Sequence, residues 1–263
     1  MPNHGVLSSL WNRLKLYKSQ ASESLRRAGV CLVCGGFEVE RGAMCQACWA
    51  DLPRRTDQRL KRNILSVDTA FAAFHYEFPI TELIKSVKFW ADLGALSALK
   101  ESFAAALAGR VEVIDFLVPV PLAPLRFARR GFNQAGELAR ALGSASKTPV
   151  RFAAIEHTRA WAAAQSRLGA RARLENSRGA FRAAKDLSGA RICIVDDVIT
   201  TGATCSAVAA ALRAAGASEV IAVAVAATVL RQRAAPSGIE IGDRERVALD
   251  KFAPRFDLVT HQG

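Results

Sequence analysis

The chain has 263 residues, 51% of them hydrophobic and 23% charged, and carries a formal net charge of +12 at pH 7. That length allows one large domain, or one domain plus a small module, and the composition is that of a globular protein, not a disordered or fibrous one. The longest apolar stretch, Val220 to Leu230, is too short to span a bilayer, so no membrane span and no membrane partner are expected.

From the N-terminus, Val6, Leu7, Leu10 and Leu14 recur at helical spacing among Arg13, Lys15 and Lys18. This predicts an amphipathic lead-in helix within 1–29. A transit peptide is the compositional alternative, but the stretch lacks the continuous apolar core and small-residue cleavage site of a secretory signal, and a cytoplasmic location is expected. Next come two matched pairs, Cys31 and Cys34 in CLVC, then Cys45 and Cys48 in CQAC. Thiolates two residues apart on a tight turn can face one ion, and two such turns supply the four-sulfur shell that Zn²⁺ favours. Two disulfides would need an oxidising compartment, and a redox dithiol would need one CxxC at a helix start instead of two. The expectation is a structural zinc module over 30–55, held folded by its metal because it has almost no core of its own. Cys193 and Cys205 stand apart and read as small buried apolar side chains.

Residues Asp51 to Asn63 are polar and basic, the composition of a linker into the main domain, placed at 56–230. Val67 to Phe78 alternates like a strand. Ile80 to Ala108 turns helical, with a break expected near Gly94. Val111 to Pro121 reads as a buried strand ended by prolines. A basic turn follows, with Arg126, Arg129, Arg130 and Gly131, then a helix with Ala135, Leu138 and Leu142 inward. Strand, arginine-rich turn and helix start in that order build an anion site. His157 to Phe181 is polar, basic and without an apolar stripe, which predicts an exposed or mobile segment. Residues 120–184 hold twelve Arg or Lys against three Glu, a block that either meets a polyanion or is a solvated surface.

The run ICIVDDVITTGAT, Ile192 to Thr204, then reads as strand and loop, followed by a helix to Ala215 and another strand. This is a right-handed βαβ unit on a parallel sheet. Ligands bind beyond the carboxyl ends of such strands, so Asp196 and Asp197 are expected at a ligand edge. Thr200, Thr201, Gly202, Ala203 and Thr204 form a loop whose N–H groups and hydroxyls can wrap a phosphate, although a Walker lysine is missing. Paired carboxylates beside a phosphate cradle need a partner that is not the phosphate, and sugar hydroxyls fit. The pattern describes a ribose 5-phosphate. Residues 231–263 are polar and read as a tail.

These motifs resemble type I phosphoribosyltransferases, and their joint order, CxxC...CxxC, VPVPLAPLRFARRGFNQA, a QSRL-containing stretch and VDDVITTGAT, resembles the ComF family of competence-related proteins across residues 30 to 230. The resemblance implies an α/β fold with a helix-flanked parallel sheet and binding of phosphoribosyl pyrophosphate (PRPP) with Mg²⁺. Asp196 and Asp197 would hold the ribose hydroxyls and the 200–204 loop the 5-phosphate. The Arg126 to Gly131 turn would take pyrophosphate, and Gln165, Arg171 and Asn176 would belong to a flexible hood. One departure bears on specificity: where 6-oxopurine enzymes carry an acid, Thr200 stands, and a threonine cannot handle the proton on the base. The resemblance also implies a link to DNA uptake, with single-stranded DNA and an uptake helicase as partners. Two classes follow: a transferase acting on an unknown nitrogen acceptor, or a non-catalytic PRPP-sensing or DNA-binding component.

Overall fold

A computed structural model of the chain describes residues 20–37, 39, 43–158, 179–183 and 186–228, apart from the side chains of Leu125 and Arg129. The lead-in at 1–19, the hood residues Gln165, Arg171 and Asn176, and the 231–263 tail lie outside the described residues.

In chain order the elements are α1 (20–27), α2 (Gln46–Ala50), β1 (Thr69–His75), α3 (Ile80–Trp90), α4 (Leu93–Leu107), β2 (Phe116–Pro119), α5 (Pro124–Arg130) and α6 (Gln134–Ser146). There follow β3 (Ile155–His157), β4 (Phe181–Ala183), β5 (Arg191–Ile199), α7 (Ala203–Ala214) and β6 (Glu219–Ala227). Four strands make a parallel sheet in the order β1-β6-β5-β2, and β3 with β4 forms a separate antiparallel ribbon. In the sheet's middle, Val195 lies opposite Val223 and Asp196 opposite Ala224.

The two central strands are apolar almost throughout because both of their faces are covered, as parallel sheets require. Successive side chains point to opposite faces. Accordingly Cys193, Val195, Ile221 and Val223 join one core with α3, α4 and α6, while Ile192, Ile194, Val220 and Ala222 join another with Val208 and Leu212 of α7. Cys193 and Cys205, which stand apart from the paired cysteines, are buried as expected. The cysteine segment shares the first core, since Cys31, Ala43, Met44 and Leu52 pack with α3 and α4.

Four details differ from the sequence reading. The helix break expected near Gly94 falls at Ala91 and Asp92, two to three residues earlier: Ala91 is left-handed at φ 54°, and the Asp92 carboxylate caps α4 by accepting the Ala95 N–H at 3.0 Å. Gly94 serves close packing, because a Cβ there would lie 2.4 Å from Ser22 Oγ and 2.7 Å from a Leu32 methyl. The 111–121 strand shrinks to Phe116–Pro119, since only there does it pair with β5. The basic turn around Arg126 is a short helix, α5, with Pro124 at its start and Gly131, φ 82°, at its left-handed stop. Finally, the polar 51–63 stretch is not a loose linker. Its backbone runs antiparallel along β1, with Arg55 N–H to Ala73 O at 3.0 Å and Leu60 N–H to Ala70 O at 2.8 Å, anchored by buried Leu52, Leu60 and Ile64.

Candidate functional site

The carboxyl ends of β2 and β5, with α3, α5, α6 and the β3–β4 ribbon, enclose a cleft of about 640 Å³. Asp196, Asp197, Thr200 and Thr204 line it from β5 and its loop, and Arg126 and Arg130 line it from α5. Thr201, Gly202 and Ala203 complete the turn between those threonines, while Gly131 serves as the C-cap of α5. The backbone of Arg129 lies on the same helix.

The two aspartates are adjacent on a strand but not equivalent. Asp197 Oδ2 accepts from the Gln134 amide at 2.8 Å and sits 3.0 Å from Lys88 Nζ. Gln134 in turn accepts from Arg130 through Oε1 at 2.7 Å. A chain of contacts therefore runs from Lys88 through Asp197 and Gln134 to Arg130, joining the acidic strand end to the basic helix. Asp196 accepts the Asp197 backbone N–H at 2.8 Å. Burial first, and then the neighbouring Asp197 charge, hold the Asp196 carboxyl well above the ordinary carboxylate range, against the opposing pull of that hydrogen bond and of Lys88. Asp197 is thus fixed by two side-chain partners, while Asp196 is the one of the pair whose carboxyl is held toward its protonated form.

Lys88, Gln134, Asn133, Tyr76 and His157 were not anticipated as cleft residues. Lys88 lies in the last turn of α3, whose apolar neighbours Leu83, Ile84 and Val87 made the helix read as pure core. Gln134 stands four residues after Arg130 but on the next helix, across the Gly131 stop and the Asn133 cap, so helical spacing did not announce the contact. Asn133 caps α6, accepting the Ala135 N–H at 3.1 Å while donating to Val120 O at 3.0 Å, so it ties the helix start to the end of β2. His157 Nε2 donates to Pro121 O at 3.0 Å, and its ring pairs with Phe181 across the ribbon at 4.7 Å. Burial lowers its pKa, with Arg126 adding to the effect, which favours the neutral ring.

The 200–204 loop turns on Gly202, which is left-handed at φ 84° and precedes the first residue of α7. A Cβ on Gly202 would lie 2.8 to 3.1 Å from three atoms of Ile64. Glycine is required on both counts. The Thr201 hydroxyl accepts the Ala203 N–H at 3.3 Å, which tightens the bend. Thr200 and Thr204, on either side of the bend, line the cleft, and a glycine bend at a helix start is a type of site suited to an anion. The carboxylate oxygens of Asp196 and Asp197 are hard donors of the kind Mg²⁺ accepts.

A second cluster lies away from the cleft. The sulfurs of Cys31, Cys34, Cys45 and Cys48 all fall within 4.8 Å of one another and could hold a metal ion. Tetrahedral zinc with bonds of about 2.3 Å separates its sulfurs by about 3.8 Å. The Cys34 to Cys45 sulfur distance is 3.7 Å, so the donor set fits. Burial works against ionising Cys31, but backbone hydrogen bonds from Cys34, Cys45 and Val33 outweigh it and bring the thiol down to about 6. Burial and its three sulfur neighbours push Cys48 up.

The phosphoribosyl transferase domain family matches residues 125–244. The chain is 31% identical over 212 residues to DNA utilization protein YhgH of Salmonella typhimurium, covering 75% of this chain and 89% of that one. It is 31% identical over 157 residues to Competence protein F of Haemophilus influenzae, covering 56% of this chain and 67% of the relative. Competence protein ComFC of Bacillus subtilis is 30% identical over 176 residues, 66% of this chain and 68% of its own length. Among the described residues, no helix is long and apolar enough to cross a membrane.

Proposed function

The chain belongs to the ComF family of type I phosphoribosyltransferase-like proteins, and from that premise we propose that it binds PRPP with Mg²⁺ in the cleft and transfers phosphoribose to a nitrogen nucleophile. The observation that carries this is the meeting, in one cleft, of an acid pair, an arginine helix and a glycine-opened bend. In this reading the 200–204 bend receives the 5-phosphate, and Asp196 accepts from the ribose hydroxyls alongside the remaining oxygen of Asp197. The raised affinity of Asp196 for protons marks a group that is stabilised once a bound donor or cation replaces solvent.

Transfer breaks the bond from the sugar's anomeric carbon to the pyrophosphate oxygen and forms one to the acceptor nitrogen. Charge develops on the departing oxygens, and Arg126 and Arg130 are placed on the cleft wall to stabilise it. Mg²⁺, when bound with PRPP, neutralises further charge on the same group. Gln134 and Lys88 fix the Asp197 carboxylate, so the strand end need not reorganise as the sugar becomes cationic. No covalent nucleophile is required. The four-cysteine cluster would hold a structural Zn²⁺, since four sulfurs supply all of its ligands and leave no coordination position for water.

Isothermal titration with PRPP and Mg²⁺ tests the reading. The wild-type protein should bind, and the double variant Asp196→Asn with Asp197→Asn should not; unaltered binding in that variant refutes the site. Pyrophosphate release across candidate bases and amines then separates transfer from sensing.

A second reading joins the family's competence and DNA-utilization names to the surface. Phe127 is 50% exposed beside Arg126, and Phe152 is 43% exposed under Arg140, whose guanidinium lies 4.6 Å from the ring centre. Exposed rings interleaved with arginines are the elements of a single-strand platform.

A further inference from the structure

The 51–63 stretch reaches behind the phosphate bend, and one of its arginines is held there. Arg62 donates through Nη1 to the carbonyl of Thr200 and through Nη2 to the carbonyl of Thr228. These carbonyls follow the ends of two neighbouring strands, β5 and β6, which are also tied by the Thr228 N–H to Ile199 O at 3.2 Å. Two residues on, Ile64 fills the space against Gly202. The bend is therefore gripped at its first carbonyl and backed at its glycine by one short segment.

That grip has a directional consequence. The bond between Thr200 and Thr201 is trans, the structure's cis bond being Phe78-Pro79, and in a trans peptide the carbonyl and the following N–H point opposite ways. With the Thr200 oxygen held by Arg62, the Thr201 N–H is turned to the side of the peptide away from Arg62. No carboxylate pairs with Arg62 among the described residues. Burial, with repulsion from Arg55, lowers its pKa from the usual arginine value, as befits a cation lacking a counter-ion. Its charge is then available, one peptide away, to favour a dianion in the bend.

We infer that Arg62 is a positioning residue for the phosphate subsite, aiming the Thr201 amide and supplying positive charge from behind, while Ile64 sets how closely the bend can pack. This rests on the phosphoribosyl reading and deepens it by assigning part of the subsite to a segment whose composition reads as linker.

The test uses full-length protein and two probes, ribose 5-phosphate and inorganic pyrophosphate, titrated calorimetrically into wild type, Arg62→Gln and Arg62→Lys. Removing a charge-assisted contact predicts a roughly 10- to 100-fold loss of ribose 5-phosphate affinity in Arg62→Gln. Pyrophosphate affinity, set by Arg126 and Arg130, should stay within about 2-fold. Arg62→Lys should recover part of the loss, since it restores charge without the two-pronged geometry. Equal loss for both probes would reduce Arg62 to a structural part and overturn the inference, as would unchanged ribose 5-phosphate affinity in Arg62→Gln. Absence of ribose 5-phosphate binding by the wild type would instead overturn the phosphoribosyl reading, and this inference with it.

Discussion

Replacing Gly202 by alanine puts the geometry of the bend to a quantitative test. Two costs add. An L-residue held in the left-handed region costs about 1–2 kcal/mol, and Gly202 sits at φ 84°. The new Cβ would also lie 2.8, 2.9 and 3.1 Å from Ile64 atoms, an overpacking that costs about 1–3 kcal/mol. Urea unfolding should therefore show Gly202→Ala destabilised by about 2–5 kcal/mol, a large fraction of the roughly 5–15 kcal/mol typical of a domain. The two parts separate in a double-mutant cycle. Ile64→Ala removes all three clashing atoms, so in the Gly202→Ala background it should show a coupling of about 1–3 kcal/mol, while the backbone part remains. A cost below about 0.5 kcal/mol, or no coupling to Ile64, refutes the account of why glycine stands there.

Other outcomes follow from the same structure. Because the folded protein holds the Asp196 pKa above its unfolded value, this group's contribution to stability is full at low pH and is lost as pH rises beyond the ordinary carboxylate range. Asp196→Asn should accordingly unfold at higher urea than wild type at pH 7–8 without ligand, and lower stability in the variant would contradict the burial argument. Native mass spectrometry should find about one zinc per chain, and stripping it or mutating Cys34→Ser should lower the thermal midpoint; a metal-free chain that ignores chelators speaks against the site. Gln134→Leu should weaken PRPP binding by about 10-fold through release of Asp197 and Arg130, with unchanged affinity counting against the relay. Oligonucleotide affinity falling steeply with salt would favour the nucleic-acid reading, and a flat dependence would sink it.

What the sequence made legible was local and periodic. The strand, loop, helix and strand from Arg191 to Ala227 were readable because apolar runs, a glycine and a helical stripe fall within a short window. The paired cysteines were readable because ligand spacing is a property of neighbours. What escaped was contact between distant segments. Gln134 meets Asp197 across 63 positions, and Arg62 meets Thr200 across 138, and no periodicity encodes either pair. The helix at Pro124 to Arg130 escaped for another reason: its start and stop signals are present, but a seven-residue basic run has no apolar stripe to announce it. Similarly, charged residues from Arg54 to Arg62 looked like linker because β1 needed only backbone partners from them, with Leu60 and Ile64 as the sparse anchors.

That ribbon alongside β1 also governs how copies of this chain can meet. An outermost strand normally advertises unpaired amides and carbonyls, an invitation to sheet-to-sheet stacking between molecules. Here the Ala72 and His75 amides are already spent on Gln58 and Pro53, and the Ala70 and Ala73 carbonyls on Leu60 and Arg55. Pairing of a second copy directly onto β1 is thereby blocked from within the monomer.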